Sequence, residues 1–274
     1  MFDTNYYCLV AGLREYSLDG GAKGFDPHAI LDEILRELTP RDLRAVRLLY
    51  GYYDCKNLIA LRAGSPEHDP LGNFARERLK EETEHPRLLP HAIGLVLAAY
   101  ARPDGEEAEE VDTSRPFEQA LFEAYYGLCA ASPSRFLREW SDFDRTLRNV
   151  AAARAAGRPV DGHVVGNDDV AEQLRRSSAS DFGLRGELPY IDAVIAAVND
   201  ESNLLEKEHK IDRIRWQQAV DLAAEDYFNV NAVLSYLVRI NLVARWTQLD
   251  EARGRAMLGR LLRELDGKEL INNK

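Results

Sequence analysis

The sequence has little of what marks exported, membrane-spanning or disulfide-bonded proteins. Its three cysteines lack the C-x-x-C spacing of a zinc or redox site, which predicts free thiols in a reducing compartment. The longest apolar run, Ala92 to Ala101, is about half of the roughly 20 residues that span a bilayer. The start Met1-Phe2-Asp3 has no basic n-region of a signal peptide. We therefore expect a cytoplasmic chain without direct membrane insertion.

Motifs for catalysis and metal binding are also missing. The six histidines form no H-x-x-x-H or H-E-x-x-H pair, and no G-x-S-x-G turn presents a serine nucleophile. The apolar neighbours of Cys8 and Cys129 predict buried structural thiols. Asp142 and Asp144 alternate with arginines, which favours a solvated, salt-bridged face over an acid/base pair. The sequence predicts no catalytic residue, no cofactor and no metal ligand.

The charge balance argues against nucleic acid as a partner. There are 35 Lys plus Arg against 46 Asp plus Glu, a formal net charge of -11. A chain of this sign is on average repelled by phosphate backbones and anionic lipid surfaces. Hydrophobic residues make up 45% of the 274 positions, enough to bury a core. We expect one helical body covering 1–274.

Strand signals are nearly absent, whereas helix starts and stops recur. Asp26-Pro27 and Thr39-Pro40 each place an N-cap acceptor before a proline at the first helical position. A long helix is predicted from Ser134 to the stop at Gly157-Arg158-Pro159. The short run Tyr6 to Leu13 could be an extended segment or a helical turn. The fold class is therefore all-α, with a possible short extended segment at the N-terminus.

Other segments are assigned by the same signals. Polar breaks are expected at Arg102 to Glu110 and at Gly157 to Asn167. The further amphipathic helices are predicted after Pro189, over Leu204 to Ala224, over Ala232 to Leu249 and over Met257 to Leu265.

Two helical stretches echo each other. Asn57 and Asn149 are 92 residues apart, and in both copies apolar residues follow, with an arginine five positions on, Arg62 and Arg154. This pattern is expected if one helical unit was duplicated, although alanine-rich helices that end in arginine also arise by chance. A third, weaker copy is placed at Tyr227 to Leu234.

Three stretches carry a resemblance to a known family. They are the opening Asn5 to Leu13, the charged run Leu204 to Trp216 that ends in tryptophan, and Tyr227 to Arg239 continuing through Ala244 to Asp250. They resemble an uncharacterised family encoded beside V-type ATPase genes in some bacteria. That family is distantly similar to the ATPase subunit called C or d.

The resemblance implies an architecture and a function. It implies three related helical units in a funnel- or triangle-like arrangement, with approximate boundaries 1–102, 113–160 and 161–274. It also implies a non-catalytic peripheral subunit, involved in proton or sodium transport, that couples the central rotor stalk to the membrane rotor ring. The implied partners are those V-type ATPase subunits, and the implied location is cytoplasmic, peripheral to the inner membrane through the complex.

Two other hypotheses stay open. One is a transient assembly factor or scaffold for the same complex. The other is an all-α enzyme whose groups converge only in the fold, for example around Glu84, His85 and His91. The residues characteristic of the repeats and of the resembling stretches, expected to be mainly structural, are Asn57, Arg62, Asn149, Arg154, Tyr227, Asn231, Tyr236, Arg239 and Trp246.

Overall fold

The computed structural model describes residues 4–20, 24–101, 111–156, 164–200 and 203–248. Within these ranges the chain forms eleven helices and no strand, which confirms the all-α prediction. The predicted break at 102–110, most of the break at 157–167 and the predicted helix at 257–265 lie outside the described residues. The helices are α1 (Tyr7–Gly12), α2 (Pro27–Glu37), α3 (Pro40–Arg62), α4 (Arg76–Glu84), α5 (His91–Tyr100), α6 (Phe117–Ala130), α7 (Arg135–Ala156), α8 (Asp169–Arg176), α9 (Ile191–Asn199), α10 (Leu204–Leu222) and α11 (Val230–Gln248).

Side-chain caps fix the starts of several helices. Asp26 accepts hydrogen bonds from the backbone N–H groups of His28 and Ala29, at 3.0 and 3.1 Å. Thr39 Oγ1 accepts from the N–H of Asp42 at 3.4 Å. These acceptors satisfy N–H groups that have no partner within the helix. The starts predicted at the Asp26-Pro27 and Thr39-Pro40 pairs are therefore confirmed.

The N-terminal segment is helical, so the extended segment considered there is not formed. Tyr7–Gly12 is α1, and the N–H of Val10 donates to the carbonyl oxygen of Tyr6 at 2.9 Å. The side chains of Leu9, Val10 and Leu13 pack against the core. The backbone hydrogen bonds settle what periodicity could not at this length.

Three pairs of consecutive helices follow one another in a closed order. The pairs are α2 with α3, which are joined only by Leu38 and Thr39, and the two packed pairs α6 with α7 and α10 with α11. Helix α3 packs on α6, α7 packs on α10, and α11 packs on α2, so the third pair returns to the first. Helix α11 also contacts α3 and α7. The four shorter helices α4, α5, α8 and α9 pack on the outside of these pairs, α4 on α3, α5 on α6, α8 on α7, and α9 on both α7 and α10.

Two buried asparagines make the same pair of hydrogen bonds. The Nδ2 of Asn57 donates to the carbonyl oxygen of Asp69 at 3.0 Å, and its Oδ1 accepts from the N–H of Asp69 at 2.6 Å. Asn149 binds Val165 in the same way, at 2.8 and 2.9 Å. An amide offers one donor side and one acceptor side, so it satisfies both backbone groups of one residue. We call this arrangement the amide clasp.

A glycine lies against each clasp. At Gly72 a Cβ would lie 2.8 Å from Nδ2 of Asn57 and 2.9 Å from an oxygen of Asp54. Gly166 has a φ of +99°, and a Cβ there would overlap the guanidinium of Arg145. A side chain at position 72 would displace the ends of the Asn57 and Asp54 side chains, and the positive φ at Gly166 favours glycine there.

The core follows the three pairs. Aromatic rings fill the space between α3 and α6, where Tyr52 and Phe122 have their ring centroids 5.5 Å apart.

Cys55 and Cys129 are buried, but Cys8 is exposed on α1, so the expectation of a buried thiol was wrong for Cys8. In the described ranges no helix is both long and apolar enough to cross a membrane.

We expect Asn149→Ala to lower the free energy of unfolding by about 1–3 kcal/mol, because the N–H and C=O of Val165 lose their partners. Urea denaturation followed by circular dichroism measures this. Asn199→Ala is the matched control, because it removes a hydrogen bond between exposed side chains, Asn199 with Arg154, and should change stability by less than about 0.5 kcal/mol. Equal losses in the two variants would contradict a structural role for the clasp.

Candidate interaction surface

Tyr6 connects the first helix pair to the third. Its N–H donates to the carbonyl oxygen of Phe228 at 2.5 Å, ahead of α11. Its hydroxyl donates to Oδ2 of Asp42 at 2.5 Å and accepts from the N–H of Thr39 at 3.2 Å, at the start of α3. Burial, with the contact to Asp42, raises the pKa of Tyr6, so the phenol stays protonated as a donor. The start of α3 is thereby fixed next to the start of α11.

A second set of contacts connects the second pair to the third. The hydroxyl of Ser134, just before α7, donates to Oδ1 of the buried Asn231 at 3.2 Å. Arg135 donates to the carbonyl oxygen of Leu222 at 3.0 Å and to Asp226 at 2.5 Å, in the turn between α10 and α11. The N-terminal ends of α3, α7 and α11 therefore lie together at one end of the molecule.

Aromatic side chains are exposed at this end. Tyr7 is 58% exposed, Tyr227 72% and Phe228 37%, and the rings of Tyr7 and Phe228 have centroids 4.8 Å apart. Clustered exposed aromatics of this kind are typical of protein interaction sites, whereas single exposed apolar residues are not informative. We call Tyr7, Tyr227 and Phe228 the aromatic patch.

The two arginines of the sequence echo take matching positions. Arg62 donates to the carbonyl oxygen of Tyr100, the last residue of α5, at 3.2 Å. Arg154 donates to Oδ1 of Asn199, the last residue of α9, at 2.9 Å. Each therefore connects the end of a long helix to the end of a short outer helix, which suits a cation because helix C-termini carry partial negative charge.

Two other predicted residues lie along α11. The hydroxyl of Tyr236 donates to the carbonyl oxygen of Arg14 at 2.9 Å, which holds the segment after α1 against the third pair. The guanidinium of Arg239 lies over the rings of Trp216 and Tyr236, at 5.5 and 5.8 Å from their centroids. Its Nε is buried without a hydrogen-bond partner, so ring contacts stabilise this cation.

Trp246 belongs to a buried charge network. Its Nε1 donates to Oδ2 of Asp212 at 2.9 Å, and the Asp212 side chain is fully buried. Arg215 and Arg245 also donate to Asp212, at 2.9 and 2.8 Å. Arg245 also binds Glu208. This network joins the middle of α10 to the C-terminal end of α11.

Asp144 extends the network to α7. It accepts from Nε of Arg148 at 2.7 Å and from Nε of Arg215 at 2.9 Å, with the Tyr126 hydroxyl at 3.3 Å. Burial alone would raise the pKa of Asp144, but the two arginines outweigh it and lower the pKa to about 2. The interpretation of this carboxylate as part of a solvated face was wrong. It was right for Asp142, which is 71% exposed and pairs with Arg145 at 2.7 Å.

Sequence reasoning missed Asn241. This residue lies 92 positions after Asn149, the same spacing that separates Asn57 from Asn149. It is buried in α11, and its Oδ1 accepts from the hydroxyl of Tyr50 on α3 at 3.0 Å. The 92-residue spacing alone could have identified it.

A cleft of about 310 Å³ lies between α6, α7 and the loop at 165–167. Its charged lining is balanced, with Glu123 and Asp142 against Arg138 and Arg145. Among the described residues, no three His, Cys, Asp or Glu side chains cluster as a metal site. Glu84, His85 and His91 are all exposed, and none of them lines this cleft.

We expect Asp144→Asn to destabilise the protein in a pH-dependent way. Because the folded pKa of about 2 is below the ordinary value of 3.8, the Asp144 charge contributes about 2 kcal/mol of stability above pH 4. That contribution is lost as the pH falls through the folded pKa. The difference in the free energy of unfolding between wild type and variant should therefore narrow by about 1 kcal/mol from pH 6 to pH 3 in urea titrations. Asp142→Asn is the control, because it removes an exposed ion pair with Arg145 that contributes little to stability.

Comparison with known proteins gives a family without an assigned activity. The family model described as protein of unknown function (DUF2764) matches residues 3–268, nearly the full length. No curated protein and no solved structure matches the chain. The chain therefore belongs to the DUF2764 family.

Proposed function

We propose that this protein is a non-catalytic peripheral subunit of a V-type ATPase, coupling the central rotor stalk to the membrane rotor ring. The observation that carries the proposal is the closed order of three helix pairs, in which α3 packs on α6, α7 on α10 and α11 on α2. A closed arrangement of three helical units is what similarity to the ATPase component called C or d implies. The resembling stretches in the first 13 residues and along α10 and α11 support the same assignment.

We further propose that the three pairs are related units. Each long helix carries an asparagine at a spacing of 92 residues, Asn57, Asn149 and Asn241. In the first two units the next helix, α4 or α8, packs back on the long helix, and an arginine reaches the end of α5 or α9. On this basis the second unit runs through α9, beyond the boundary at 160 that the sequence suggested.

Rigidity fits the proposed task. A subunit that transmits torque between two partners has to resist deformation, and in a closed order of three pairs every pair is supported on both sides. The charge network of Asp144 and Asp212 adds fixed polar contacts among α7, α10 and α11. Such networks favour one specific arrangement of the helices that form them.

The aromatic patch is the proposed contact with the stalk. Tyrosine supplies a large contact area with little loss of side-chain entropy, and tyrosines are enriched among the residues that dominate binding energy. The patch lies where the N-terminal ends of α3, α7 and α11 meet, so one partner bound there would contact all three units.

A transient assembly factor for the same complex is the second proposal. The experiment that separates the two is a tagged pull-down from the native host in mild detergent, with partners counted by mass spectrometry. Stalk and ring subunits recovered near one to one support a permanent subunit, and sub-stoichiometric recovery supports the assembly factor. Recovery of the protein alone, without any ATPase subunit, would overturn both proposals and favour the enzyme hypothesis.

We expect the double variant Tyr7→Ala and Tyr227→Ala to reduce recovery of stalk subunits about tenfold or more, because truncating buried interface aromatics costs over 1 kcal/mol each. Leu88→Ala is the matched control, since Leu88 is 57% exposed but belongs to the segment between α4 and α5. Unchanged recovery in the double variant would place the stalk contact elsewhere on the molecule. Circular dichroism should show that both variants keep the helical content of the wild type.

A further inference from the structure

Every exposed charged side chain of α3 is basic. These side chains are Arg41, Arg44, Arg47, Lys56 and Arg62. Asp42 and Asp54, the two carboxylates of the helix, are buried against other parts of the chain. The outer face of α3 is therefore positive, in a chain whose formal net charge is -11.

Three of these arginines form a row at the start of the helix. Arg41, Arg44 and Arg47 follow one another at a spacing of three residues, over about 9 Å of helix. The side chains of Arg44 and Arg47 make no ion pair, hydrogen bond or ring contact with any residue that the structure describes. Lys56, farther along the helix, pairs with Asp69 at 3.0 Å. We call Arg41, Arg44 and Arg47 the arginine row.

Helix stability does not explain the arginine row. The positive end of the helix dipole opposes cations in the first turns, and like charges three or four positions apart repel each other. Helix α7, which follows α6 as α3 follows α2, pairs its arginines instead. Arg135 binds Glu139 at 2.7 Å, and Arg145 binds Asp142 at 2.7 Å. The charge that α3 leaves unpaired is thus available to a partner.

The arginine row begins beside the aromatic patch. The hydroxyl of Tyr6 donates to Asp42 at 2.5 Å. Tyr6 is the chain neighbour of Tyr7 in the patch, and Asp42 is the chain neighbour of Arg41 in the row. A specific interface of standard size covers about 800 Å² on each partner, which is enough for one partner to cover the patch and the row together.

We propose that the arginine row binds an acidic segment of the same stalk subunit that contacts the aromatic patch. The proposal rests on the proposed function and adds the chemistry of the partner. Guanidinium groups suit carboxylates, because the two can form paired, charge-assisted hydrogen bonds. Complementary charge beside an apolar contact speeds association and fixes the orientation of the partners. A subunit that transmits torque needs such a fixed orientation on the stalk.

An acidic protein segment fits the row better than a membrane or a nucleic acid does. An extended anionic surface would meet the whole side of the molecule, and the net charge of -11 opposes such a contact. A short acidic segment needs to contact only the row. At about 0.1 M ionic strength the other carboxylates of the chain are screened over roughly 10 Å, about the length of the row itself.

The tagged pull-down tests the proposal with the double variant Arg44→Glu and Arg47→Glu. We expect this variant to recover stalk subunits roughly tenfold less than wild type, because two attractions become repulsions. Wild-type recovery should also fall as the salt concentration of the wash is raised. Lys80→Glu with Arg87→Glu is the matched control, since it changes the net charge equally at two exposed cations in α4 and the segment after it. Recovery by the control should stay at the wild-type level.

The outcomes separate this proposal from the proposed function. Equal recovery by wild type and the Arg44 and Arg47 double variant would overturn the arginine row as a contact and leave the proposed function standing. A wild-type chain that recovers no ATPase subunit would overturn the proposed function itself.

Flotation with vesicles that contain phosphatidylserine is the second measurement. We expect no binding by wild type. Binding that the Arg44 and Arg47 double variant loses would overturn the acidic protein segment in favour of an anionic membrane. Circular dichroism should show that both double variants keep the helical content of the wild type.

Discussion

A single side-chain amide bound to a single backbone residue determines how α3 and α7 are each followed by the next element. Asn57 and Asn149 are buried near the ends of α3 and α7, where the chain turns back over its own helix. Where the chain turns, the N–H and C=O groups of one residue lose their hydrogen bonds to water, and the asparagine amide replaces both bonds. Because the amide is fixed on a helix, the turn and the outer helix after it are fixed as well. The way that α4 packs on α3 and α8 on α7 follows from this constraint.

The charge network of Asp144 and Asp212 determines how α7, α10 and α11 pack together, and it does so in a different way. Asp144 and Asp212 are buried, and each is bound by two arginines, with Arg215 shared between them. Removing such groups from water costs several kcal/mol, which the mutual attraction offsets only when geometry and hydrogen bonding are good. The network therefore contributes mainly to specificity, since a displaced α10 would leave a buried charge without its partner. Apolar packing supplies most of the stability of the pairs.

Helix existence and helix ends could be predicted from the sequence because they depend on local chemistry. Proline at the first helical position and a polar cap at Asp26 or Thr39 act within a few residues. The burial of Asp144 could not be predicted, because its partner Arg215 lies 71 residues away. Asn241 was missed because its neighbours differ from those of Asn57, although its position repeats. Local patterns predict elements, whereas contacts between distant elements depend on packing that one sequence does not display.

The closed order of the pairs also has a consequence for how the chain folds during synthesis. The first two pairs can pack together as soon as α7 has been made, since α3 meets α6 without help from later residues. The surfaces of α2 and α3 that receive α11 stay uncovered until then, and the bond between Tyr50 and Asn241 spans 191 residues. Contacts of such long range form slowly and leave apolar surface accessible meanwhile. Nascent chains that lack α11 are therefore the form of this protein most in need of a chaperone.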